Sequence, residues 1–223
     1  MALPMRLAAW NAVAAARVTA YLSAMSVLLA IDTAAPRLQL AFRRPDGSVE
    51  SLVEDMATGQ AERLFPALDE LLARSGVAYA DLARIAVTTG PGSFTGLRIG
   101  LSAARGLGLA LNIPVLGIPS LFALSLSAAG PAAVLLDAKR GEAYFQLFAG
   151  SAAPASDALL LPMPEAEARA GTTPRITSAA VDIAALAAFA ATADPAAWPP
   201  EAAYIRDADA KPQEKFRVAR VPS

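Results

Sequence analysis

The chain contains neither cysteine nor histidine. Without cysteine there is no disulfide, no thiol nucleophile and no thiolate-bound zinc. Without histidine, the commonest general base and the commonest metal ligand are both missing. Carboxylates, lysine and tyrosine remain, so the chemical options are narrow. Aromatic residues are only 6% and charged residues only 17% of the sequence. The mean hydropathy of +0.43 comes largely from alanine, which raises the index without supplying large core side chains. Residues 106–136 carry no charge, but Asn112, Pro114, Pro119, Pro131 and several serines interrupt them. The stretch breaks before it reaches membrane-spanning length and reads as core. A net charge of −1 with no long basic tract argues against strong autonomous binding to nucleic acid.

Acidic residues are absent before Asp32. The first 24 residues are alanine-rich and carry Arg6 and Arg17, a composition compatible with a transit peptide. Arg17 interrupts the apolar part that a secretory signal needs. The reading favoured here is that translation starts at Met25, directly ahead of the first strand.

What the sequence does hold is organised around residues 88–114. An apolar run, Ile85-Ala-Val-Thr-Thr89, reads as a buried strand. Gly90-Pro91-Gly92 reverses the chain, and Ser93 stands at an N-cap position. A helix then runs to about Asn112, before Pro114. Three familiar motifs fail on spacing. A P-loop requires glycine at 95 with Lys and Ser/Thr following the second glycine, a dinucleotide turn requires glycine at 95, and a nucleophile elbow around Ser93 requires glycine at 91 and 95. Position 91 is proline and position 95 is threonine. Within the helix Gly96, Gly100, Ala104 and Gly108 recur every fourth residue, and Gly106 adds another glycine. Four interior glycines cost about 3–4 kcal/mol against alanine, so close packing must compensate. The row packs either inside its own lobe or against a helix of a second subunit.

In chain order, residues 26–31, 37–42 and 48–54 form an antiparallel meander with turns at Asp32-Thr33-Ala34 and Pro45-Asp46-Gly47. A helix follows to about Ser75, with Leu64, Leu68, Leu71 and Leu72 on one face, Pro66 either near its first turn or kinking it, and Gly76 as C-cap. A strand at 114–118 follows the long helix, and Ser120 is expected to cap a helix to about Ser127. The order is βββαβα, then βα. Residues 132–136 then form a strand ending in Asp137, a turn at 138–141, and a strand over 142–148. Strand, aspartate, turn, strand thus occurs twice, at Asp32 and at Asp137, which implies two related halves. The second half is poorly filled, with short helices at 162–170 and 181–193, a partly apolar segment at 198–206, and a charged tail from Asp207. Three units follow: an extension (1–24), a first lobe (25–128) and a shortened second lobe with the tail (129–223).

Four stretches carry a resemblance: Met25-Ser-Val-Leu-Leu-Ala-Ile-Asp-Thr-Ala34, Gly90-Pro-Gly-Ser-Phe-Thr-Gly-Leu-Arg-Ile-Gly100, Leu116-Gly-Ile-Pro-Ser120 and Leu136-Asp-Ala-Lys-Arg-Gly-Glu-Ala-Tyr144. Together they resemble the TsaB family, also called YeaZ. Ala203-Tyr-Ile-Arg206 is similar to that family's carboxy-terminal element. The resemblance implies an α/β, actin-like or sugar-kinase-like (ribonuclease H-like) fold of two related lobes, each with a mixed sheet and helices. It implies a cytoplasmic, non-catalytic subunit with no cofactor and no metal. Such a subunit acts with TsaD and TsaE to transfer a threonylcarbamoyl group to the adenosine beside the anticodon of ANN-reading tRNAs. It reaches tRNA only through the complex, and a homodimer stays open. The catalytic relative's His-x-x-x-His metal site corresponds to Phe122-Ala-Leu-Ser-Leu126, which holds apolar residues at the ligand positions. The alternative is an ATP-hydrolysing or kinase-like enzyme of the same fold. Asp32 and Asp137 resemble the positions that orient Mg²⁺ and phosphate in active relatives, and the simpler reading is that both cap turns. The family's docking helices correspond to 60–74 and 94–112. The expected partner interface is therefore Gly96, Gly100, Ala104 and Gly108, with Leu64 and Leu68.

Overall fold

The structure, a computed structural model, describes residues 26–205. The start at Met25, Arg206 and the charged tail lie outside the described residues. β1 (Val27–Asp32), β2 (Arg37–Arg43) and β3 (Val49–Asp55) form the expected antiparallel meander. α1 (Gln60–Ser75), β4 (Leu82–Thr88), α2 (Phe94–Leu111) and β5 (Val115–Ile118) follow. β4 lies parallel to β1 and β5 parallel to β4, giving the order β3-β2-β1-β4-β5. The α1 stop is local chemistry: Gly76 sits at φ 65° and returns its N–H to the Leu72 carbonyl.

The second sheet repeats this plan. β6 (Ala132–Lys139) pairs antiparallel with β7 (Glu142–Gly150), and β7 with both β8 (Ala153–Pro154) and β9 (Leu159–Pro162). α4 (Met163–Ala170) leads to β10 (Arg175–Ile176), which lies parallel to β6. Thus β6-β7-β9-α4-β10 echoes β1-β2-β3-α1-β4, and the two-lobed actin-like α/β fold is present. Strands β8, β9 and β10 were not expected; the second lobe is more complete than its composition promised.

Two further helices cross between lobes. α3 (Ser120–Ser125) leaves the first sheet and packs on β6 and β7. α5 (Ile183–Thr192) leaves the second sheet and packs on β1, β2 and β4. The strands prepare these contacts by alternation. Leu29, Ile31, Leu40, Phe42, Ile85 and Val87 face α1 and α2, whereas Ala30, Ala41 and Ala86 face α5. The alanine face lets the alanine-rich α5 approach closely through Ala187 and Ala190, both fully buried. On the second sheet Ala133, Leu135 and Phe145 face α4, while Val134, Leu136 and Phe148 join the shared interlobe core.

Candidate functional site

Two concave regions stand out, one between the lobes and one between α1 and α2. The first is built on the glycine turn. Ser93 caps α2, its Oγ accepting from Gly96 N at 3.2 Å, and its own N–H donates to Ala34 O at 2.8 Å. Thr33 Oγ1 donates to Gly96 O at 2.7 Å. These bonds stitch the β1–β2 turn to the head of α2. Gly92 is required there, since a Cβ would come within 2.6 Å of Ala34 O. The resulting cleft has a volume of about 540 Å³ and is lined by Ala34, Gly92, Ser93 and Ser120 from one lobe and Asp137, Lys139, Tyr144 and Thr177 from the other.

Asp32 does not reach this cleft with a free carboxylate. It is fully buried and accepts from Thr88 Oγ1 (2.6 Å), Ala34 N (3.0 Å) and Gln39 Nε2 (3.0 Å). Burial pushes its carboxyl above the ordinary range, while those bonds and the Arg37 charge oppose the shift. Asp137 is exposed, accepting from Lys139 N (2.7 Å) and Lys139 Nζ (2.8 Å), which hold its carboxyl low. Both aspartates cap their turns. Ser120 does not: Pro119 occupies the N-cap and α3 begins at Ser120 itself. The Ser120 N–H is claimed by Gly90 O at 2.6 Å. Phe122, at a position corresponding to a metal ligand in the catalytic relative, packs instead on Phe148, Phe189 and Trp198.

The second region is a groove of about 670 Å³ between α1 and α2, lined by Ala61, Phe65, Phe94, Arg98, Ser102 and Gly106 among others. Phe65 and Phe94 are 44% and 56% exposed. The Arg98 guanidinium lies 3.8 Å over the Phe94 ring. The expected interface residues lie elsewhere. Gly96, Gly100, Ala104 and Gly108 are buried against β1, β4 and β5, and Leu64 and Leu68 are in the same core. A Cβ on Gly96 would overlap the Thr33 carbonyl, one on Gly100 would meet Thr33 Oγ1 at 2.5 Å, and one on Gly108 would overlap Val115. The small residues therefore bring α2 down onto its own sheet, and the helix pair's outward side chains are a different set.

Sequence reasoning also missed a strap. Residues 198–205 return across the first lobe: Gly117 N donates to Trp198 O (2.9 Å) and Ala203 N to Thr89 O (2.8 Å). Trp198 packs between Phe122 and Phe189, and Tyr204 reaches Phe94, with ring centroids 6.1 Å apart. The signal was Gly117. A glycine inside a buried strand marks close approach of another backbone, here Pro199 O and Pro200 Cα, each 2.6 Å from a Cβ at that site.

Residues 54–159 match the family described as TsaD, tRNA N6-adenosine threonylcarbamoyltransferase. An uncharacterised protein of Mycobacterium tuberculosis is 43% identical over 124 residues, covering 54% of this chain and 58% of the relative. The Escherichia coli tRNA threonylcarbamoyladenosine biosynthesis protein TsaB is 36% identical over 123 residues, 53% of each chain. The chain thus spans little more than half the length of the curated relatives it matches. Among solved structures, YeaZ from Pseudomonas aeruginosa superposes with a TM-score of 0.63 at 27% identity, covering 74% of this chain and 90% of that one. A second Pseudomonas aeruginosa structure, described as similar to peptidase YeaZ, gives a TM-score of 0.70 at 26% identity and is covered in full by 81% of this chain. In its motifs, its matched relatives and its fold, the chain is similar to the TsaB, or YeaZ, family.

Proposed function

We propose that this chain is a non-catalytic docking subunit in tRNA threonylcarbamoyladenosine biosynthesis. It serves the transfer of a threonylcarbamoyl group to the adenosine beside the anticodon of ANN-reading tRNAs. Its partners are TsaD and TsaE proteins, and it meets tRNA only through them. The relatives' names supply the pathway; the groove between α1 and α2 carries the docking role. Two half-exposed phenylalanines flanking an apolar groove form the kind of surface that a protein partner covers. The non-catalytic part rests on chemistry. The sequence supplies no histidine, and the aspartate that would handle phosphate is sealed by three hydrogen bonds.

The test uses the full chain and purified TsaD. Phe65→Glu or Phe94→Glu places a charge in the groove without touching the core. Each variant is expected to keep the parent melting temperature and to bind TsaD about 10- to 100-fold more weakly. Undiminished binding by both overturns the docking face. ATP hydrolysis by the isolated chain with Mg²⁺ overturns the non-catalytic reading.

A further inference from the structure

We infer that the groove between α1 and α2 takes an amphipathic helix of a partner protein, one that lays its backbone against Gly106 and offers carboxylates to Arg98 and Arg105. This rests on the docking role and names the chemistry of what docks.

Three observations converge on that occupant. Gly106 lines the groove, and its own lobe gives it no reason to be glycine. A Cβ on Gly96, Gly100 or Gly108 would press on Thr33 or Val115, whereas one on Gly106 meets nothing within 4 Å. Alanine would fit there and favour the helix. A glycine in the wall of an apolar groove instead lets a second backbone come close. Phe94 is the next. Half exposed, it touches both Tyr204 of the strap and the Arg98 guanidinium. Its ring is thereby positioned before a partner arrives, which lowers the ordering cost of binding.

Charge is the third. The ionisable residues of α2 are Arg98 and Arg105, with no acidic residue between or beside them in the helix. Seven residues apart, they stand on one face. Both are exposed, and neither forms an ion pair among the described residues. On α1, by contrast, Arg63 pairs with Glu54 and Glu70, and Arg74 with Glu50. The lining runs through Ser102, Ala103 and Gly106 and leaves Arg105 on the rim. A purely apolar helix would leave both guanidiniums unanswered. A second copy that laid its own α2 in the groove would set arginine towards arginine. A helix with small residues on its buried side and Asp or Glu along one edge meets all three features. Rim ion pairs add modest affinity, but they govern the association rate and its response to salt.

The test follows association and dissociation of the full chain with purified TsaD at low and high salt, with the melting temperature of each free variant. Gly106→Ala should melt no lower than the parent yet bind about three- to tenfold more weakly, because its methyl meets the partner's backbone. Gly106→Leu should bind about 10- to 100-fold more weakly. Arg105→Glu should associate about tenfold more slowly at low salt, dissociate at nearly the parent rate, and lose most of the difference at high salt. Both Gly106 variants binding as tightly as the parent, while Phe65→Glu and Phe94→Glu do not, overturns the helix occupant and leaves the docking face standing. Undiminished binding by the phenylalanine variants removes both. Early melting of Gly106→Ala overturns the inference, since the glycine would then serve its own lobe. Association of Arg105→Glu at the parent rate in low salt overturns the carboxylates. A parent chain that sediments as a dimer, and as a monomer after Gly106→Leu, gives the groove to a second copy and overturns the partner helix.

Discussion

Asp32 illustrates how one buried carboxyl makes stability depend on pH. Burial raises its pKa above 3.8, against the pull of Thr88, Ala34, Gln39 and Arg37. The native chain therefore binds a proton that the unfolded chain has released over that interval. Stability contributed by this site is intact below the unfolded value and declines as pH rises through the folded one. Asp32→Asn removes the ionisation and keeps an acceptor for Thr88 and Ala34, while Gln39 can turn its amide to suit. The variant should gain on the parent as pH rises from about 4 to 8 in denaturant titrations. Transfer activity of the assembled complex should stay within a few-fold. A loss of several hundred-fold with normal assembly would show that Asp32 handles phosphate or metal after all. The capping role was legible from an aspartate ending a strand ahead of a turn. Ser120 was not, because a serine after Ile-Pro looks like a cap. Only the bond from the Ala123 N–H to Pro119 O, which opens the helix, reveals that Pro119 takes that place.

At the scale of the element, α2 shows how small residues are used. Gly96 and Gly106 belong to the same helix but differ in surroundings: a Cβ at 96 would overlap the Thr33 carbonyl, whereas one at 106 meets nothing within 4 Å. Gly106→Ala should therefore stabilise the isolated chain by about 0.8–1 kcal/mol through helix propensity. Gly96→Ala should destabilise it by about 1–3 kcal/mol through overpacking. Equal shifts in the two melting curves would contradict the packing described. The sequence showed the row's spacing but not its direction, since both a sheet and a partner helix accept small residues. Arg84 was equally silent. From β4 its Nη1 donates to Ala190 O and Ala193 O, each at 2.7 Å, closing the carboxy-terminal end of α5. The link spans more than a hundred residues and leaves no local pattern. Arg84→Ala should cost about 1.5–3 kcal/mol for bonds to a charged donor, roughly 4–10 °C in melting temperature for a chain of this size. An unchanged melt would mean that this tie carries no weight. Strands β9 and β10 escaped for a related reason: their four and two residues pair because β7 and β6 offer edges, not because their own alternation demands it.

For the whole molecule, the repeated strand-aspartate-turn-strand pattern was enough to foresee two related lobes, because each copy is contiguous. The exchange of α3 and α5 was not foreseeable, since an apolar helix does not state which sheet it covers. That exchange has a consequence in time. β5 completes the first sheet at Ile118, but α5, which covers the sheet's alanine face, ends at Thr192, 192 − 118 = 74 residues later. At about 5–20 residues per second, a ribosome takes roughly 4–15 s to deliver it. Throughout that interval the nascent first lobe carries a finished sheet with one face bare. On that face Ala30, Ala41 and Ala86 stand beside Leu28, Leu116 and Ile118, a smaller adhesive surface than the leucines, isoleucines and Phe42 opposite. The side that must wait for its cover is the side least prone to cling to a stranger.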